Sequence, residues 1–243
     1  MEKSREPMDR ELRPILDTIT TVLVIAASIA VLAITLRLWY QAPTVAGPVI
    51  PQPTTPAPPA EPQALKGTPL IGSPAAKVAI IQYSDFECPF CRSFYLDTWP
   101  TLKQEYVDSG RVRVAFRHLP LPSHQFAHAA ALAATCANQQ ERFWDMHDLL
   151  FQNQDHLSEG IWPSLARQLR LDVTVFDDCM NGSVAAVERD QNSASALSII
   201  ATPTFLVGHV QTDGDVRVTQ ILVGAHPLAR FKEILDGLLA DLS

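Results

Sequence analysis

The feature that most constrains this chain is the pair Cys88 and Cys91 in the stretch Asp85-Phe86-Glu87-Cys88-Pro89-Phe90-Cys91. Residues 78–83 form a short apolar run with β-branched and aromatic members, which reads as a buried strand. Residues 92–107 carry apolar side chains at Phe94, Tyr95, Trp99, Leu102 and Tyr106, which is helical spacing. The two cysteines therefore fall at a strand-to-helix turn. A sulfur in the first turn of a helix faces unpaired backbone N–H groups and the positive end of the dipole, so ionised Cys88 is favoured over its thiol. Pro89 suits the first turn, where a missing N–H costs nothing. Cys91, one turn on, lies within reach of a disulfide with Cys88. Cys88 is expected to be the exposed attacking sulfur and Cys91 the buried one that resolves a mixed disulfide. Half of a zinc knuckle has the same spacing, but zinc needs a second ligand pair, and Cys136 and Cys179 stand apart in separate segments. A purely structural bridge is the other alternative, which the helix-start position disfavours.

Ahead of this stretch the chain changes character twice. Residues 1–17 are polar and mixed in charge, read as a cytoplasmic leader, whereas 18–36 contain no charged residue. At about 1.5 Å per residue, that run and its flanks reach roughly the 30 Å of a bilayer core, so 18–40 are expected to be a transmembrane anchor. A cleaved signal peptide competes with this reading, but the leader is long and acidic and no clear A-x-A site follows. Lys3, Arg5, Arg10 and Arg13 precede the run, and after Arg37 no basic residue occurs until Lys66. The N-terminus is thus expected to be cytoplasmic and the bulk of the chain outside. Residues 41–69 carry prolines at 43, 48, 51, 53, 56, 58, 59, 62 and 69. That composition favours extended polyproline II and reads as a linker.

From there the composition is that of one globular domain, 70–243. Residues 65–243 hold 14 Lys and Arg against 20 Asp and Glu with no basic cluster, which argues against nucleic acid as a partner. Residues 111–117 alternate as a strand, and helical patterns follow at 124–138, 141–152, 161–170 and 183–198. Together these form a helical insert over about 120–198. Residues 204–210 and 215–223 read as a hairpin about Asp213-Gly214, and 231–242 as a closing amphipathic helix. Seven histidines include His124 and His128 four apart, yet no third ligand is tied to them, so no metal is expected.

A β-α-β unit with CxxC at its first helix, a helical insert, then β-β-α, is the order of an α/β thioredoxin fold with an inserted α-helical domain, here preceded by one transmembrane helix. Four segments carry a more specific likeness: Ser84-Asp85-Phe86-Glu87-Cys88-Pro89-Phe90-Cys91, Phe116-Arg117-His118-Leu119-Pro120-Leu121, Phe143-Trp144-Asp145-Met146-His147-Asp148 and Thr202-Pro203-Thr204-Phe205. In this order they resemble the membrane-anchored, helical-insert branch of the DsbA-like thiol-disulfide oxidoreductases. The resemblance implies that Pro203 is a cis-proline beside the cysteine pair and that Thr202 offers backbone groups to an extended substrate. It also exposes a departure, since Gln82 stands where such folds often carry a buried acid on the first strand. An amide cannot ionise, so proton transfer at Cys91 must use water or another group; Glu87 and Asp85 are near in sequence, and the reading favours their being solvated. Cys136 and Cys179 are expected to form a structural disulfide, as in many such relatives, with a second redox-active pair as the alternative.

The expected function is that of a membrane-tethered thiol-disulfide oxidoreductase at the bacterial cytoplasmic membrane, single-pass, with its catalytic domain periplasmic. It would introduce disulfides into secreted or envelope proteins through Cys88 and Cys91, with no cofactor beyond that redox pair. Active-site neighbours are Gln82, Glu87, Pro89 and Phe90, with Thr202 and Pro203 binding substrate. The expected partners are cysteine-containing folding proteins and a quinone-linked membrane thiol oxidase, and the expected state is a monomer. The alternatives are an isomerase or reductase with the same site, and a non-catalytic module that binds unfolded chains.

Overall fold

The structure is a computed structural model and describes residues 20, 23, 25, 27–37, 57–182 and 185–242. Its two compact units are residues 1–52 and 53–243. In the first, residues 27–37 are helical, and Ile29, Val31, Leu32 and Ile34 expose their side chains. Among the described residues no helix is long and apolar enough to cross a membrane. The whole leader, nine residues of the expected anchor (18, 19, 21, 22, 24, 26 and 38–40) and residues 41–56 lie outside the described residues.

The second unit is built on a five-stranded sheet: β1 (Leu70–Ile71), β2 (Val78–Ser84), β3 (Val112–His118), β4 (Thr204–Val210) and β5 (Val216–Val223), ordered β1-β3-β2-β4-β5. β2 pairs in parallel with β3 and antiparallel with β4. It is central, and all seven of its residues are buried. Both faces are covered, which is why its sequence is a continuous apolar run rather than an alternation. Val78 and Ile80 pack on one face against Phe94, Trp99, Leu102 and Tyr106 of the first helix and Phe231, Ile234 and Leu235 of the last. Ala79, Ile81 and Tyr83 pack on the other with Leu206, Val216, Ile199 and Leu65. The domain begins earlier than residue 70: Gln63 bridges to Val216 and Leu65 is buried, so the end of the stretch read as linker is part of the fold.

The first helix, α1, runs over residues 89–107, three residues earlier than the apolar spacing indicated, because Cys88 is extended (φ −72°, ψ 123°) and Pro89 opens the first turn. It is α-helical at Pro89–Ser93 and Trp99–Leu102 and π-helical at Phe94–Thr98 and Lys103–Val107. Pro100 accounts for the first widened turn: it lacks an N–H and its ring crowds the preceding turn, and the Trp99 N–H instead reaches back five residues to the Phe94 carbonyl.

Among the described residues, five α-helices separate β3 from β4: α2 (Ala127–Asn138), α3 (Phe143–Gln152), α4 (Trp162–Gln168), α5 (Val173–Gly182) and α6 (Ala185–Ala196). The chain closes with α7 (Leu228–Ala240). The α5 helix was absent from the sequence reading, which placed helices at 161–170 and 183–198 and none between them. Asp172 starts it, its Oδ1 accepting from the N–H groups of Thr174 and Val175, and Phe176 and Cys179 bury its inner face. The Cys136–Cys179 disulfide joins α2 to α5.

Candidate active site

The site forms where β2 hands over to α1. Even-numbered residues of β2 face the α1 side, so Gln82 and Ser84 continue the row of Val78 and Ile80. Gln82 is buried there, 3% exposed, between Phe116 and Phe205 of the neighbouring strands. The turn that follows is held by its own carboxylate. Asp85 Oδ1 accepts from the Glu87 N–H (2.7 Å), and the Asp85 carbonyl accepts from the Cys88 N–H (3.2 Å). Phe86 anchors the turn in the insert, stacked on Phe116 (5.2 Å) and packed on Phe151 (5.0 Å) and His147 (5.8 Å). The turn's outer side is capped by Gln154, whose Nε2 donates to the carbonyls of Phe86 (2.7 Å) and Cys88 (3.1 Å).

Cys88 and Cys91 are both unbonded thiols. Cys88 is 3% exposed, so the expectation of an exposed sulfur is corrected: the segment before β4 covers it. The Cys88 Sγ–H donates to the carbonyl of Thr202 (3.4 Å), and the Thr202–Pro203 peptide is cis. Phe90, between the cysteines, is 63% exposed, and Ile200, just ahead of Thr202, is 85% exposed. Both are large apolar side chains left in solvent, one on the cysteine turn and one on the segment that carries the cis peptide.

The two thiols are displaced in opposite directions. The hydrogen bond from the Cys91 thiol is the largest influence on Cys88; burial opposes it, and the Thr202 hydroxyl and the N–H groups of Cys91 and Phe90 assist, bringing Cys88 from 9.0 down to about 6. Burial pushes Cys91 well above its ordinary value, and the Cys88 thiolate raises it further, against a hydrogen bond from Ser84. While Cys88 is a thiol, the Thr202 hydroxyl is buried without a partner among the described residues. It is therefore a donor that gains an acceptor when the sulfur ionises.

Of the two carboxylates next to the pair, Asp85 is not solvated, contrary to the sequence reading, and Glu87 is half-buried. Asp85 is buried; its Oδ2 accepts from the Leu121 N–H (2.8 Å) and from His124 Nδ1 (2.7 Å). Glu87 Oε2 accepts from the Phe126 N–H (2.6 Å). These bonds hold residues 121–126 against the turn and delay the start of α2 to Ala127. His118 is buried beside Phe86 and Phe116. Burial, with the charges of Arg189, His147 and His128, lowers it to about 3, so it is neutral and serves packing. His124, Ser84 and Gln154 were not singled out for the site by sequence; a carboxylate and an imidazole 39 residues apart carry no spacing signal. Among the described residues no cluster is arranged to hold a metal ion.

A parallel β-α-β unit, an antiparallel pair and a dithiol of opposed acidities at a helix start define a thiol-disulfide exchange domain of thioredoxin architecture. The family model described as thioredoxin matches residues 64–222. Among curated proteins, the chain is 37% identical over 139 residues to the Na(+)/H(+) antiporter NhaA 3 of Salinispora tropica, covering 56% of this chain but 21% of that protein. It is 28% identical over 153 residues to disulfide bond formation protein D of Bacillus subtilis, covering 59% of this chain and 68% of that protein. Among solved structures, Pseudomonas aeruginosa DsbA2 superposes with a TM-score of 0.58 at 30% identity, over 73% of this chain and 99% of that one. The chain belongs to the thioredoxin family, in its DsbA-like thiol-disulfide oxidoreductase branch. It spans about a fifth of the length of the antiporter relatives.

Proposed function

We propose that the domain oxidises dithiols in extracytoplasmic polypeptides. The observation that carries this reading is the lowered pKa of Cys88 beside a buried Cys91 whose pKa is raised. A stabilised Cys88 thiolate favours the dithiol form, which makes the corresponding disulfide a ready oxidant. The name of the Bacillus relative, disulfide bond formation protein D, supports the same direction. A substrate thiolate attacks Cys88 Sγ in the Cys88–Cys91 disulfide, the S–S bond breaks, and Cys91 leaves and takes up a proton. A second substrate thiolate then attacks the mixed disulfide at the substrate's sulfur and releases Cys88 as a thiolate. The substrate loses two electrons and two protons, and Cys88 and Cys91 gain the electrons. Thr202 and Pro203 line the bound segment, while Phe90 and Ile200 give it an apolar rim. No cofactor beyond this redox pair takes part. A quinone-linked membrane thiol oxidase returns the pair to the disulfide.

The anchor belongs to the same proposal. It is supported by the charge-free run 18–36 and the basic residues before it, and it places the domain on the outer side of the cytoplasmic membrane. The chain should remain in the membrane fraction through alkaline carbonate washing, and release into the wash would remove the anchor.

The deciding test of direction is the reduction potential of the full chain equilibrated in glutathione buffers, with Cys136→Ser/Cys179→Ser as control. A value towards about −120 mV makes it a disulfide donor, whereas one near about −270 mV makes it a reductant.

A further inference from the structure

The dipeptide between the cysteines gives Cys88 no charge: Pro89 has no N–H and Phe90 is apolar with its ring in solvent. The residues ahead of Cys88 bring no positive charge either: Asp85 and Glu87 lie within three positions of it in the chain, and Asp85 is buried. A buried carboxylate near a thiolate raises the energy of both unless a cation stands with them. One cation is built in. His124 Nδ1–H donates to Asp85 Oδ2 at 2.7 Å, with the imidazole 21% exposed and the carboxylate fully covered. Its segment is held in place by Leu121 N–H on Asp85 and Phe126 N–H on Glu87.

We propose that His124, oriented by Asp85, is a positioning residue that supplies the positive charge beside the Cys88 thiolate. The inference rests on Cys88 being the reactive sulfur. The groups that act on His124 agree with it. Burial pulls its acidity in the neutral direction, but the hydrogen bond and charge of Asp85, then the charges of Cys88 and Glu87, outweigh it and raise His124 above its ordinary 6.5. Interactions between two titrating groups are reciprocal, so a thiolate that favours the imidazolium is favoured by it. His124 thereby offsets Asp85 and offers Cys88 a charge that the Pro-Phe dipeptide does not.

Two measurements test this on the full chain. In the first, Cys88 alkylation by iodoacetamide is followed against pH in the wild type and in His124→Asn. Asparagine keeps a donor for Asp85 and removes the charge, so a merely structural role would leave the profile in place. The expected result is a midpoint displaced upward, with alkylation several-fold slower near pH 6 and an unchanged plateau at high pH. An unmoved midpoint in folded protein overturns the proposal. The second needs no variant and so stands if the substitution disturbs folding: the His124 ring is titrated by NMR in the dithiol and disulfide forms. Its midpoint is expected to be higher in the dithiol form, where a thiolate is present, and coincident titrations would overturn the proposal. Alkylation and ring titration report on Cys88 and His124 whether or not the protein oxidises substrates, so failure here is distinct from failure of the oxidase reading.

Discussion

The thiols of Cys88 and Cys91 share one helical turn and differ in what surrounds them. The first has a donor in Cys91, two backbone N–H groups and the Thr202 hydroxyl; the second has burial and a neighbouring negative charge. In the dithiol protein Cys88 should alkylate with a midpoint near pH 6 while Cys91 stays unmodified, and a midpoint near 9 would refute the geometry. Thr202→Val removes the hydroxyl that the thiolate would use, so the midpoint should rise and the rate at pH 6 should fall, with the plateau unchanged. The same displacement makes folding of the dithiol form pH-dependent. Cys88 binds its proton less tightly in the folded than in the unfolded chain, so its contribution is complete above the unfolded value of 9.0 and is lost as pH falls through about 6. Cys91 acts oppositely, since its raised pKa stabilises the fold fully only below the unfolded thiol's pKa, and that contribution is lost as pH rises from there towards the folded value. Denaturant unfolding of the dithiol form should therefore gain stability from pH 6 towards 9, and Cys88→Ser should flatten that rise.

At the scale of elements, the turn between β2 and α1 is placed by packing rather than by its own propensity. Phe86 drives it into the insert, where its ring meets Phe116, His147 and Phe151. Phe86→Ala should cost about 3–5 kcal/mol in denaturant unfolding, as other buried aromatic truncations do, and should loosen the turn that presents Cys88. Gly208 marks a second such point: at the irregular register between Val207 and Gly208, an added Cβ would collide with the Arg217 carbonyl oxygen. Gly208→Ala should therefore destabilise the β4–β5 pair by about 1–3 kcal/mol, read as a lower unfolding midpoint. These positions also show which parts of the fold were legible in the sequence. The buried strand 78–83, the Asp-Gly hairpin and the alanine-rich helix were readable because local periodicity and turn chemistry agree with the final packing. The π turns of α1, the two-residue β1 and the late start of α2 were not, since each depends on partners distant in the chain: β1 exists only through Ala115 and Val114, and α2 starts where Asp85 and Glu87 release the segment. The cysteine pair could be read from its spacing. His124 could not, because its only relation to the site is across space.

At the scale of the whole domain, the insert is continuous with the active site, for one apolar cluster contains Phe86, Cys88 and Cys91 together with Cys136, Phe151, Phe176 and Cys179. The disulfide between α2 and α5 closes a separation of 43 residues within that cluster. By loop-closure entropy such a crosslink stabilises by about 4 kcal/mol, through the unfolded chain rather than through any contact in the folded one. Cys136 is 0% and Cys179 8% exposed, and Cys88 itself is only 3% exposed, so burial does not tell the two pairs apart and reactivity must. Structural and redox-active roles for the bridge then separate cleanly. Cys136→Ser/Cys179→Ser should lower the unfolding free energy by about 4 kcal/mol in dithiol and disulfide forms alike, while the Cys88 alkylation midpoint stays near pH 6. Titration with a model dithiol should consume the wild type at two electrons per chain, as it does the double variant. Four electrons per wild-type chain would mean that the bridge takes part in exchange, and the insert would then be a second redox centre instead of a crosslinked wall for the first.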